Sequence, residues 1–214
     1  MDYNLIPIGI SGVARSGKDT FCRLLSQRLA QFGFNPQRYA LADELKKAVN
    51  PFLQNFCSID IFTCGAKEKE LVRDLLVAVG KIKREQSHGQ FWTGLVEEKM
   101  REGGPFQIPI VTDIRFNQYH NDEVSWLKSL GGFFVHITRI LEDGFELPPA
   151  NPTEQANDSS LKECADLKII ANHSSSDIGL NGYVEEIISA YLAHRSKRIA
   201  ELSDVIAQQF GGTP

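Results

Sequence analysis

Long apolar runs are missing from this sequence of 214 residues. None approaches the roughly 18 residues of a membrane-spanning helix, so no membrane partner is expected. An excess of positive charge is missing too. Lysine and arginine number 23 against 27 acids, a formal net charge of −4, which argues against a binder of nucleic-acid polymers. Cysteine is scarce. Cys22, Cys57, Cys64 and Cys164 form no CxxC pair and no zinc spacing, so free thiols in a cytoplasmic protein are expected. The five histidines show neither HxH nor HxxxH spacing. The opening Met1-Asp2-Tyr3-Asn4 has no basic stretch, so no signal peptide is expected. There is no internal repeat, low-complexity segment or linker that would divide the chain. A hydrophobic fraction of 42% and a charged fraction of 23% suit a single globular domain over residues 1–214.

Short apolar runs alternate with helix-like patterns. Ile6 to Ser11, Arg38 to Ala42, Ile108 to Val111, Phe133 to Thr138 and Leu167 to Ala171 read as strands. Phe21, Leu24, Leu25, Leu29 and Phe32 share one helical face, and Gly33 stops that helix. Asp43 is placed to cap a helix carrying Leu45, Val49, Phe52, Leu53 and Phe56, which Pro51 should kink or break. Leu71, Leu75, Val79 and Ile82 mark another helix. Further helices are expected over residues 91–101 and 122–130, and a long one from Val184 onward, with a frayed tail at Gly211-Gly212-Thr213-Pro214. Residues 141–160 hold three prolines, five acids and no lysine or arginine, and read as a loop. This alternation predicts a three-layer α/β/α fold around a parallel sheet. In such folds ligands sit at the carboxyl ends of the strands. Three strands end there in polar residues: Ser11-Gly12, Thr112-Asp113-Ile114-Arg115 and Thr138-Arg139.

The stretch Gly12-Val13-Ala14-Arg15-Ser16-Gly17-Lys18-Asp19-Thr20 matches GxxxxGK between a strand and an amphipathic helix. Gly12 and Gly17 let the backbone turn its N–H groups inward, Lys18 reaches toward phosphate, and the following helix offers its positive end. Asp19 stands where many such loops have Ser or Thr. It could hold a metal-bound water or simply stabilise the first helical turn. Thr20 can supply a hydroxyl. Asp113 suits an acid that orients magnesium water, or a helix cap. Arg115 suits an acceptor phosphate, because guanidinium binds phosphate through two donors. Arg139 could stabilise transferred charge or sit at the surface. Phe91 and Trp92 could stack on a base or fill core.

The run Gly9 to Thr20 resembles the start of bacteriophage deoxynucleoside monophosphate kinases, within the nucleoside monophosphate kinase fold. The likeness continues through Leu41-Ala42-Asp43-Glu44-Leu45-Lys46, Val72-Arg73-Asp74-Leu75-Leu76 with Gly80, Phe91-Trp92, Val111-Thr112-Asp113-Ile114-Arg115, Val135-His136-Ile137-Thr138-Arg139 and Thr153-Glu154. It departs at Val77 and Lys81, where the family often carries Gln and Thr, and in the absence of arginines from residues 141–160.

The resemblance implies a five-stranded sheet with the phosphate-loop strand at its centre, a helical substrate-binding insertion over 43–102 and a lid over 141–160. It implies ATP and Mg2+ as cofactors, a location in a host cytoplasm, a small nucleotide as substrate and a homodimer. The expected reaction moves the γ-phosphoryl group of ATP to a deoxynucleoside monophosphate. Gly12, Arg15, Ser16, Gly17, Lys18, Asp19 and Thr20 would bind the donor. Lys46, Arg73, Trp92, Arg115 and Glu154 would bind the acceptor. Thr20, Asp19 and Asp113 would support the metal, and Lys18, Asp113, Arg115 and Arg139 would be catalytic. A kinase for another phosphorylated metabolite such as dephospho-coenzyme A, a regulatory ATPase, or a silent nucleotide-binding module are the alternatives.

Overall fold

The chain's structure, a computed structural model, describes residues 6–104, 106–172 and 177–210, with side chains of the last helix described over 179–204. Five parallel strands form one sheet: β1 (Ile8–Ser11), β2 (Asn35–Tyr39), β3 (Gln107–Val111), β4 (Phe133–Ile140) and β5 (Leu167–Asn172). Their order is β2-β3-β1-β4-β5, so β1 is central. The register aligns Gly9 with Val111 and Ser11 with His136. The ends of β1, β3 and β4 therefore meet at one edge, on both sides of the point where the strand order reverses.

Alternation along the strands sends side chains to opposite faces. Ile8, Ile10, Ile108, Ile110, Phe133, Val135 and Ile137 share a cluster with residues of α1 (Lys18–Gln31) and α7 (Asp177–Phe210). Val111 and Phe134 point the other way. They join Leu41 of α2 (Leu41–Phe52), Trp92 and Val96 of α4 (Gln90–Arg101), Trp126 and Leu127 of α5 (Glu123–Ser129) and Leu161 of α6 (Pro152–Cys164). The result is a three-layer α/β/α fold. A smaller cluster of Val49, Leu53, Ile61 and Val72 joins α2 to α3 (Ala66–Gln86). Among the described residues no helix is long and apolar enough to cross a membrane.

Several sequence expectations shift. β2 spans 35–39 rather than 38–42, because its residues are largely exposed at a sheet edge and lack an alternating apolar signal. Ala40, not Asp43, is the N-cap of α2. Pro51 does not break the chain's helical course, which continues as a π-helical turn over Leu53–Cys57 and leaves Phe56 exposed. On α3 the buried apolar residue is Val72, while Leu71 and Ile82 face outward. Residues 141–160 are not wholly loop. Asn151 caps α6, its side chain accepting the Glu154 N–H, and Leu161 is buried against the sheet. The tail 211–214 lies outside the described residues.

Candidate functional site

The loop after β1 is shaped mainly by its own backbone. Gly12 has φ 141°, and a Cβ there would lie 2.4 Å from the Ile137 carbonyl oxygen and 2.7 Å from Ser16 Oγ. Arg15 and Gly17 adopt φ of 67° and 98°, and Gly17 is the N-cap of α1. Successive turns of this kind aim backbone N–H groups at one point and make an anion cradle at the helix's positive end. The Ser16 hydroxyl is buried with no hydrogen-bond partner, although buried polar atoms are normally satisfied. Lys18 Nζ donates to the Gly12 and Val13 carbonyls, 2.7 Å each. Burial pulls the Lys18 pKa down and nearby Arg115 adds to the effect, while Glu154, Asp19 and Asp113 oppose it. Two cavities adjoin the loop, both lined by Gly17, Thr20 and Arg139. Arg15, Lys18 and Asp19 complete the one of about 290 Å3. Ser16, Phe21, Ala171, Asn172 and Leu180 complete the one of about 170 Å3.

The loop after β3 runs alongside. Ile114 N–H donates to the Ile10 carbonyl at 3.3 Å, tying it to β1. Asp113 is buried, and its two carboxylate oxygens accept the Leu41 and Ala42 N–H groups at 2.8 Å each. It therefore supplies the cap that α2 lacks in its own sequence. Burial raises the Asp113 pKa against those two hydrogen bonds. Glu123 Oε2 accepts the Arg115 N–H at 2.5 Å and the Phe116 N–H at 3.1 Å. Burial pushes the Glu123 pKa up to about 8, with the two N–H donors acting the other way. Asp122 accepts the Gln118 and Tyr119 N–H groups and pairs with Arg84. The Arg84 guanidinium is stacked 3.9 Å from the Phe116 ring centre and 4.7 Å from that of Tyr119. This frame leaves the Arg115 side chain exposed beside the phosphate loop's charged groups.

His136, on β4, is buried with Nδ1 2.9 Å from Ser11 Oγ and Nε2 3.7 Å from Asp158 Oδ1. Burial first, then Lys162, pulls its pKa down to about 4. The ring is thus neutral at neutral pH and accepts or donates only by tautomer.

Lys18, Thr20, Arg15, Ser16, Gly17, Asp19 and Arg139 do come together, with Arg115 as their neighbour. Other expected site residues lie elsewhere. Trp92 is 7% exposed, packs in the core and donates Nε1–H to the Gly80 carbonyl, so it is a core residue rather than a base-stacking one. Arg73 is exposed and pairs with Glu70 on its own helix. Lys46 pairs with Asp43 at 3.0 Å. Asp19 is almost fully exposed, 4.0 Å from Arg38. Asp113 is a helix cap. Glu154 meets the phosphate loop itself, at the Ala14 N–H. Arg84, Asp122, Glu123, Asn157 and Asp158 also shape this edge of the sheet. Asp122-Glu123 before a helix signalled only its start, and nothing local distinguished Arg84 from other helix arginines.

A group that binds here must suit these donors. The unpartnered Ser16 hydroxyl, the backbone cradle and the cations fit a polyphosphate. Thr20, lining both cavities, fits a magnesium ion carried by that polyphosphate. Asp113 fits it poorly, with each oxygen already on a helix N–H.

No protein-family model and no curated relative matches the chain. Among solved structures it is similar to one titled "Crystal structure of APE1195", at 15% identity and a TM-score of 0.39, over 88% of this chain and 97% of that one, a likeness that carries no functional argument.

Proposed function

We propose that the protein transfers the γ-phosphoryl group of ATP to a deoxynucleoside monophosphate, giving the diphosphate. The observation that carries this reading is the glycine-shaped loop whose lysine shares its electrostatic surroundings with an arginine from the neighbouring loop. Phosphoryl transfer requires two polyanions held in line with their repulsion neutralised, and little covalent chemistry from the protein.

The loop backbone and Lys18 hold the donor phosphates. Lys18 leaves the Gly12 and Val13 carbonyls to do so, which its flexible stem permits. Arg115 grips the acceptor phosphate through its guanidinium. Arg139, on the wall common to both cavities, stabilises the charge that develops between them. Thr20 would support a magnesium ion carried by the nucleotide, whose charge would offset that of the donor phosphates. Asp113 acts by fixing α2 against β3, so it positions the site rather than holding the ion.

The test is a panel of nucleoside and deoxynucleoside monophosphates, each incubated with ATP and magnesium and resolved by nucleotide chromatography. Formation of a deoxynucleoside diphosphate with matching ADP is expected. Hydrolysis of ATP alone, or transfer only to a different phosphorylated metabolite, would remove this reading.

A further inference from the structure

Helix α6 turns a polar face inward. Residues 154, 157, 158 and 161 have the i, i+3, i+4, i+7 spacing of one helical face, which in a surface helix is normally apolar. Here only Leu161 is apolar, and it is buried in the core. The other three each reach a different part of the site. Glu154 Oε2 accepts the Ala14 N–H of the phosphate loop at 3.2 Å. Asn157, 3% exposed, accepts from Gln118 Nε2 at 2.9 Å, in the loop that carries Arg115. Asp158 faces His136, whose other nitrogen meets Ser11 at the base of the phosphate loop.

Asn157 is buried and Glu154 and Asp158 are half-buried, and an apolar face would hold α6 to the sheet with less desolvation penalty. The groups are also rigidly presented. Glu154 N–H is capped by Asn151 Oδ1, and the same Glu154 oxygen accepts the Ala150 N–H at 2.9 Å. The Asn157 amide donates to the Thr153 carbonyl at 2.7 Å.

We propose that α6 is a brace that sets the phosphate loop against the Arg115 loop, with Glu154 as the positioning residue for the Ala14 amide. Glu154 holds that amide from outside the larger cavity, whose lining does not include Ala14, and so keeps the loop in its anion-binding shape. The inference rests on reading residues 12–18 as an anion-binding loop, but not on which acceptor the enzyme uses.

Glu154 brings a negative charge as well as a hydrogen bond, and the two act on a bound polyanion in opposite directions. Glu154→Gln and Glu154→Ala both remove the charge, and only glutamine keeps an acceptor. The ratio of their affinities for inorganic tripolyphosphate, measured by calorimetry without nucleotide or turnover, therefore reads the lost acceptor apart from the charge, and exchange at Ala14 separates its bond from that to Ala150. Glu154→Ala is expected to bind roughly fivefold more weakly than Glu154→Gln, about the effect of one hydrogen bond. The Ala14 amide should exchange its hydrogen faster in Glu154→Ala, with glutamine restoring protection. Equal affinities and equal exchange in the two variants would overturn the proposal, as would failure of the unaltered protein to bind tripolyphosphate. Should the affinity ratio appear while no monophosphate is ever phosphorylated, the brace stands and the kinase reading falls.

Discussion

Two loops leave neighbouring strands at the same edge of the sheet and keep their shapes by opposite means. The Gly12–Gly17 loop relies mainly on backbone freedom, with Glu154 as an outside contact at the Ala14 N–H. Its glycines take conformations that other residues rarely adopt, and its lysine bonds to its own carbonyls. The 112–119 loop contains no glycine. It is held by buried acids, Asp113 within it and Asp122 and Glu123 just after it, against helices that come from distant parts of the chain. In the proposed reaction the first loop offers N–H groups other than that of Ala14 to a ligand, while the second spends those of Arg115, Phe116, Gln118 and Tyr119 on carboxylates and presents a side chain, Arg115. In that reaction, which holds two phosphate groups at once, one half of the site would be backbone-built and the other built by a buried polar frame. The frame's weakness is that removing any one member strands the others.

That weakness gives the largest expected effect. Asp122→Ala would leave the Arg84 guanidinium buried between two aromatic rings without its carboxylate, and the Gln118 and Tyr119 N–H groups without an acceptor. A loss of about 3–5 kcal/mol in urea unfolding is expected, as for other broken buried ion pairs. A loss below about 1 kcal/mol would show that the second loop supports itself, and the contrast between the loops would disappear. Lys18→Ala should do the reverse. Phosphoryl transfer should fall by roughly a hundred- to a thousandfold, as for removal of a donor to developing charge, while unfolding changes little. Near-normal turnover would take Lys18 out of the mechanism.

The contrast also explains what could be read from the chain. The glycine-shaped loop after β1 was legible because its pattern is local. Glycine spacing, a lysine and the flanking periodicities all fall within a dozen consecutive residues. Strands β1, β3, β4 and β5 were legible for the same reason, being short apolar runs. β2 was displaced because an exposed edge strand needs no apolar signal. The buried frame was not legible, because it pairs Arg84 with Asp122 and Asp113 with the start of α2 across long stretches of sequence. Arg73 resembled a ligand by its place in a familiar pattern, yet the arginine that α3 buries is Arg84, three helical turns on.

Arg115→Ala sharpens the division of labour. It should lower kcat/KM for the monophosphate about 10- to 100-fold and leave ATP binding nearly unchanged, since its guanidinium is assigned to the acceptor alone. Steady-state kinetics with each substrate varied in turn will decide this. Equal losses for both substrates would mean that the two loops act as one.

A further difference between the loops concerns pH. Glu123 titrates near 8 in the folded protein against an ordinary value of 4.5, so the folded state retains a proton that the unfolded chain has released. Its contribution to stability is full below 4.5 and is lost as pH rises through 8. His136 has the opposite shift, from 6.5 to about 4, and its contribution is lost as pH falls through that range. Between about pH 6.5 and 8.5 only the Glu123 slope remains of the two. The melting temperature should decline across that window and decline less steeply in Glu123→Gln, which keeps an acceptor for the Arg115 and Phe116 N–H groups while Asp113, also raised by burial, remains. An unchanged slope would assign the titration to another group.

In the proposed reaction the two loops hold donor and acceptor phosphates simultaneously. An analogue with two nucleosides joined through one polyphosphate chain tests it directly in a calorimeter. One molecule should bind per chain, on the order of a hundredfold more tightly than ATP, with the advantage lost in Arg115→Ala. Binding no tighter than ATP, and indifferent to Arg115, would contradict it.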